Sequence, residues 1–114
     1  MDRFPQILKE RARILEEMAQ LGPMRRGTVY EFQPFFTRKD GSRKYRGPYL
    51  TYTSKRKGKT RGKHLRGQPE AELYRHQIAQ FRRFEELAAQ FTEVSERLAD
   101  LQASETDAKK NSRS

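Results

Sequence analysis

Two prolines cut this chain into three stretches that cannot run into one another. Gly22-Pro23 is a stop: glycine takes the left-handed cap of a helix, and proline, with no N–H, cannot continue it. Pro69 is a start, because proline fits the first helical position, and Glu70 and Glu72 suit the positive end of a helix dipole. Whatever lies between must be built on its own pattern.

The flanks read as helices. Before the stop, Phe4, Ile7, Leu8, Ile14, Leu15, Met18 and Leu21 recur at three- and four-residue steps, interrupted by Arg11. With Asp2 as a cap and Pro5 tolerated in the first turn, this predicts a helix over 3–21. After Pro69, Leu73, Tyr74, Ile78 and Phe81 form a wide stripe. Phe84, Leu87, Phe91, Val94, Leu98 and Leu101 then follow the alternating rhythm of a coiled-coil seam, predicting a helix over 69–102. Residues 103–114 are polar and have the composition of a disordered tail.

The middle, residues 25–66, reads as strands. Thr28, Tyr30 and Phe32 alternate with Val29, Glu31 and Gln33, and Tyr49, Thr51 and Thr53 alternate with Leu50 and Tyr52. Asp40-Gly41 is a hairpin-turn pair, Gly58 can supply a positive φ, and a third strand would run from Lys59 to Leu65. A three-stranded antiparallel meander follows, with Leu50 and Tyr52 as core and Phe35, Phe36 and Tyr45 unassigned. The expected class is α+β in one domain over 1–102: helix, meander, and a long helix forming an antiparallel or dimeric coiled coil.

Charge follows the same division. The 114 residues carry a formal net charge of +10. Residues 25–66 alone hold fourteen Lys and Arg against Glu31 and Asp40, while the rest of the chain holds eleven against thirteen acids. Solubility gives no reason for such segregation; a phosphate-binding surface does. The candidate nucleic-acid contacts are Arg25, Arg26, Arg38, Lys39, Arg43, Lys44, Arg46, Lys55, Arg56, Lys57, Lys59, Arg61, Lys63 and Arg66, with His64 among them. Tyr45 and Tyr49 join them, as rings that stack on bases or hydroxyls that bond phosphate. On the third strand, Lys59, Arg61 and Lys63 share one face, and Thr60, Gly62 and His64 the other.

Other chemistry finds little footing. There is no cysteine, so thiol nucleophiles and disulfides are excluded, and His64 and His76 lack companions at metal-ligand spacing. Gly58-Lys59-Thr60 lacks the upstream glycine of a phosphate-binding P-loop, and Ser54 has no histidine base at a recognised spacing. No cofactor, no metal and no enzymatic activity are expected. No apolar run spans a membrane and no signal peptide opens the chain, so a cytoplasmic protein is expected.

Met24-Arg25-Arg26-Gly27-Thr28-Val29-Tyr30-Glu31, then Gly47-Pro48-Tyr49, then Lys57-Gly58-Lys59-Thr60-Arg61, resembles an uncharacterised prokaryotic family of small basic proteins. Its members have a Gly-Pro-Tyr strand, a Gly-Lys turn and a long following helix, and are often encoded near transposable elements. Many carry a cysteine cluster between the first two strands, where this chain has Phe35-Phe36-Thr37-Arg38-Lys39-Asp40-Gly41. The resemblance implies no activity. The meander is also similar, at the level of fold alone, to the arm-binding domains of integrases, which lay a three-stranded sheet in a DNA groove.

The expected function is therefore non-enzymatic binding of duplex DNA, as an accessory factor of a mobile element. The alternatives are an RNA-binding protein that stacks Tyr45, Tyr49 and Tyr52 on bases, and a coiled-coil adaptor for an acidic protein. A homodimer is expected through Phe84, Leu87, Phe91, Val94, Leu98 and Leu101. A first helix starting level with the sheet would cover the last helix only to about Ala88, leaving that stripe bare.

Overall fold

The computed structural model describes residues 3–112, with side chains as far as residue 107. Helix α1 (Phe4–Ala19) is followed by strands β1 (Thr28–Phe32), β2 (Phe35–Thr37), β3 (Arg43–Tyr45), β4 (Tyr49–Arg56) and β5 (Lys59–Leu65), and by helix α2 (Gln68–Ser112). The class is α+β, as the three patterns require. No helix among the described residues is long and apolar enough to cross a membrane. The chain divides into two compact units, one of α1 with α2 from Arg82 onward, the other of Gly22–Phe81.

In the sheet unit, β1, β4 and β5 form a three-stranded antiparallel sheet in that order. The meander is thus present, with one insertion: β2 and β3 make a separate two-stranded hairpin between its first two strands. Asp40-Gly41 therefore turns this inserted hairpin, and Phe35, Phe36 and Tyr45 are its strand residues. The break between the two ladders is a bulge. Phe32 pairs with Tyr49 and Phe35 with Tyr45, so two residues on one side face three on the other. Gly47 stands in the longer side at φ 94, where a Cβ would come 2.7 Å from the Tyr49 nitrogen, so only glycine fits. Between β4 and β5, Lys57 (φ 52) and Gly58 (φ 78) are both left-handed, giving the two-residue turn whose twist matches a hairpin.

One face of the sheet packs on the first part of α2. Leu50, Tyr52 and Leu65 are buried with Ala71, Tyr74 and Ile78, and Val29 packs against them. Ala71, Tyr74 and Ile78 recur at helical spacing, while Leu50 and Tyr52 alternate along β4, so the two periods meet in one small core. Tyr52 and Tyr74 pack edge to face at 5.0 Å between ring centres, and the Tyr52 hydroxyl donates to the Arg26 carbonyl. Leu50 and Tyr52 are core as expected, and Tyr52 is consequently closed to the base stacking that the RNA alternative assigned it.

In the helical unit, Ile7, Ile14, Leu87 and Val94 are buried together, with Met18, Leu21, Phe91, Leu98 and Leu101 packed around them. Arg83 pairs with Glu17 at 2.7 Å and Arg97 with Glu10 at 3.1 Å, so α2 ascends as α1 descends. Leu87 is 1% exposed and Val94 3%. This changes the premise of the dimer stripe: Leu87 and Val94 are buried against α1 of the same chain, while Phe84, Phe91, Leu98 and Leu101 are half-buried. The physical reason is an offset. Ala71, Tyr74 and Ile78 of α2 belong to the sheet core, and Leu87 and Val94, later in the helix, pack with Ile7 and Ile14, so the contact with α1 reaches past Ala88.

Two helix ends also differ. Arg3, with no side-chain bond, stands at the N-cap of α1, and Asp2 lies outside the described residues. Helix α2 runs on to Ser112 through residues whose composition marks a disordered tail. No glycine or proline interrupts them, and the Thr106 hydroxyl donates to the Gln102 carbonyl within the helix.

Candidate nucleic-acid interface

The fourteen cations of the middle segment all lie in the sheet unit or its inserted hairpin, and thirteen have no ion-pair partner among the described residues; only Arg66 has one, Glu70 at 3.1 Å. The two carboxylates of the segment are turned elsewhere. Glu31 accepts from the Gln68 amide at 3.0 Å and lies 3.8 Å from Arg75, both on α2. Asp40 accepts from the Ser42 hydroxyl at 2.6 Å and its backbone N–H at 2.9 Å, and these bonds hold its carboxyl below the ordinary aspartate range. The positive charge is therefore left free to act outward.

The cations concentrate at the β4–β5 turn. Arg56 and Lys59 are a register pair at its base, Lys57 is in it, and Arg61 is two residues up the edge strand on the same face as Lys59. Arg56, Lys57, Lys59 and Arg61 line a depression of about 350 Å³. Arg56 also borders a second one of about 380 Å³, lined by Met24, Arg25, Arg26 and Phe81. Like charges held this close repel one another in the free chain, and a polyanion relieves that repulsion.

Not every predicted cation serves this surface. The Arg25 guanidinium donates to the Gln77 side chain at 2.7 Å and lies 3.9 Å from the centre of the Tyr74 ring, stapling the chain before β1 to α2. Lys63 donates to the Tyr74 hydroxyl at 2.9 Å and also sits over that ring. Both contact the Tyr74 side chain at the edge of the core, Arg25 half-buried and Lys63 exposed, a role that residue type and spacing do not announce. Lys55 is exposed near the end of β4, and Arg66 follows β5.

A second group rides on the hairpin. Arg38 and Lys39 adjoin its turn, Arg43, Lys44 and Tyr45 form β3, and Arg46 follows. Arg43 lies 4.7 Å from the Phe35 ring centre, Arg46 4.9 Å from that of Phe36, and Phe35 and Tyr45 rings are 5.8 Å apart. The hairpin has no buried residue, so its aromatics and cations hold each other in place while remaining exposed.

On the sheet face opposite the helix, register places Tyr49 beside Phe32, and His64 and Tyr30 on either side of Thr51. His64 and Tyr49 are thus brought onto one face, with two rings, Tyr30 and Phe32, that the sequence reading left out of the site. Their period-two alternation with Val29 was the available signal, but it did not say which face α2 would leave open. Among the described residues, no group of three or more His, Asp or Glu side chains gathers in a metal-binding arrangement. No family model, curated protein or solved structure matches the chain.

Proposed function

We propose that this chain is a non-enzymatic nucleic-acid-binding protein that holds phosphates with the β4–β5 turn and the adjoining edge of its sheet. The observation that carries the reading is the cluster of Arg56, Lys57, Lys59 and Arg61 around one depression, with no carboxylate paired to any of them among the described residues. Phosphate contact by Lys and Arg supplies affinity without sequence preference. Duplex DNA is the first ligand to test, and the exposed cationic hairpin, with Arg38, Lys39, Arg43 and Lys44, is a second place for backbone contact. An unpaired strand is the other reading, favoured by one observation: the open sheet face is aromatic rather than cationic.

The test is a variant with Lys55→Ala, Arg56→Ala, Lys57→Asn and Lys59→Ala together. All four side chains are exposed, and Asn is well tolerated in the left-handed conformation of position 57, so the fold persists. Affinity for duplex DNA, hairpin RNA and single strands alike should fall on the order of a hundredfold at about 100 mM salt, whatever the sequence. Undiminished binding by a folded variant would remove the turn from the interface.

A further inference from the structure

The face of the β1-β4-β5 sheet that α2 does not cover is unusual in what it exposes. Tyr30 is 56% exposed, Phe32 63% and Tyr49 44%. Register makes them neighbours: Phe32 is opposite Tyr49, and Tyr30 is opposite Thr51, which is opposite His64. The next row has Gly62 opposite Thr53, where the edge strand contributes no side chain and the surface stays low. Farther along β4, Lys55 emerges on the same face, six residues from Tyr49 or about 20 Å at strand rise. The face is thus a shallow surface with rings at one end and a cation at the other, leading into the Lys57 turn.

Aliphatic side chains are absent from these rows, so the exposed apolar surface consists of rings, with threonines, a histidine and a glycine between them. Large exposed rings cost hydration free energy and mark a surface that meets a partner. Flat rings on a surface that leads to cations fit a partner with flat π-faces joined by anionic links. In a duplex those faces are hidden in the stack; in an unpaired strand they are open. We propose that this face is a stacking platform for the unpaired bases of a single-stranded nucleic acid, with Phe32 and Tyr30 as the principal rings and the backbone led toward Lys55 and the cationic turn. The inference rests on the nucleic-acid reading above and adds the state of the strand and the residues that sense it.

The chain has no tryptophan, so Phe32→Trp installs a single indole on the platform, whose emission is excited selectively at the red edge of its absorption, apart from the five tyrosines. This variant is titrated with an oligo-dT strand, an oligo-U strand, an abasic deoxyribose-phosphate strand of the same length, and a duplex. Stacking predicts quenching by the strands that carry bases, little by the abasic strand or the duplex, and affinity for the base-carrying strands at least about tenfold above the abasic one. The dT and U arms show whether DNA or RNA is preferred. In the otherwise natural chain, Tyr30→Ala with Phe32→Ala should bring single-strand affinity down to the abasic level and leave duplex and abasic binding, with their salt dependence, as they were. Circular dichroism confirms that this variant is folded, and Tyr30→Ala alone, expected to lose about tenfold, stands in if it is not. Equal affinity for base-carrying and abasic strands, with no quenching, overturns the platform while leaving phosphate binding intact. Absence of salt-dependent binding to every strand overturns both.

Discussion

Lys57 holds a backbone conformation, φ 52, that side-chain-bearing residues adopt at a cost of about 1–2 kcal/mol and that asparagine or glycine adopts more readily. A cation at that position serves charge at the expense of the turn. Lys57→Asn should therefore leave thermal stability equal or higher while lowering the salt slope of nucleic-acid binding by about one phosphate's worth; a drop in melting temperature would refute the turn geometry. Gly27 is constrained from the opposite side. At φ 135 its Cβ would strike the Thr53 carbonyl and the Tyr52 ring, so Gly27→Ala should cost more than about 1 kcal/mol in a denaturant titration. Gly62→Ala, which meets only ordinary contacts, should cost far less. Asp40 adds a pH dependence. The Ser42 hydroxyl, then the Ser42 N–H, lower its pKa in the folded chain. A lowered folded value means that its contribution to the hairpin turn is whole at neutral pH and is lost as pH falls below the ordinary aspartate range and through the folded value. The Asp40 carboxyl resonance should titrate at lower pH in the protein than in a peptide spanning 37–43; coincident titrations would show that the turn bonds do not form.

Element by element, what could be read from the chain depended on whether the deciding interaction was local. Pro69 marks the start of α2 because ring sterics act within a turn, and β5 spans Lys59–Leu65 as alternation and Gly58 predict; α1, by contrast, ends at Ala19 with a right-handed Gln20 as its C-cap, short of Gly22-Pro23 and without the left-handed glycine cap expected there. The inserted hairpin was not legible: Phe35–Thr37 and Arg43–Tyr45 are three residues each, too short to display a period, and a bulge separates them from the strands they continue. Nor was the division of α2 between two cores, because which residues Ala71, Tyr74 and Ile78 meet, and which Leu87 and Val94 meet, is set by contacts distant in sequence. That division decides what Leu87 does. Packed between Ile7, Ile14 and Val94, it should cost about 2–5 kcal/mol when changed to Ala, read as lost unfolding free energy. Sedimentation of the same variant and its parent separates this from an interface between copies: mass unchanged by the substitution fits packing within one chain, whereas a parent dimer that Leu87→Ala dissociates would contradict it.

At the scale of the whole molecule, the separation of tasks follows the separation of charge. The helical unit contains Ile7, Ile14, Leu87 and Val94 as its core, pairs Arg83 and Arg97 with Glu17 and Glu10, and carries acids and bases in nearly equal number. The sheet unit keeps its small core on one face and leaves its cations without carboxylate partners, apart from Arg66 and Arg75, among the described residues. A charge surplus of +10 so distributed makes ionic strength the variable to which function should respond most strongly. Affinity for a duplex DNA and for a single strand of equal length, measured from about 50 to 200 mM salt, is the most direct test. Six to eight phosphates neutralised predict that log K on the duplex falls against log salt with a slope of roughly −5 to −7, and somewhat less steeply on the single strand. A slope near zero on both would contradict phosphate binding.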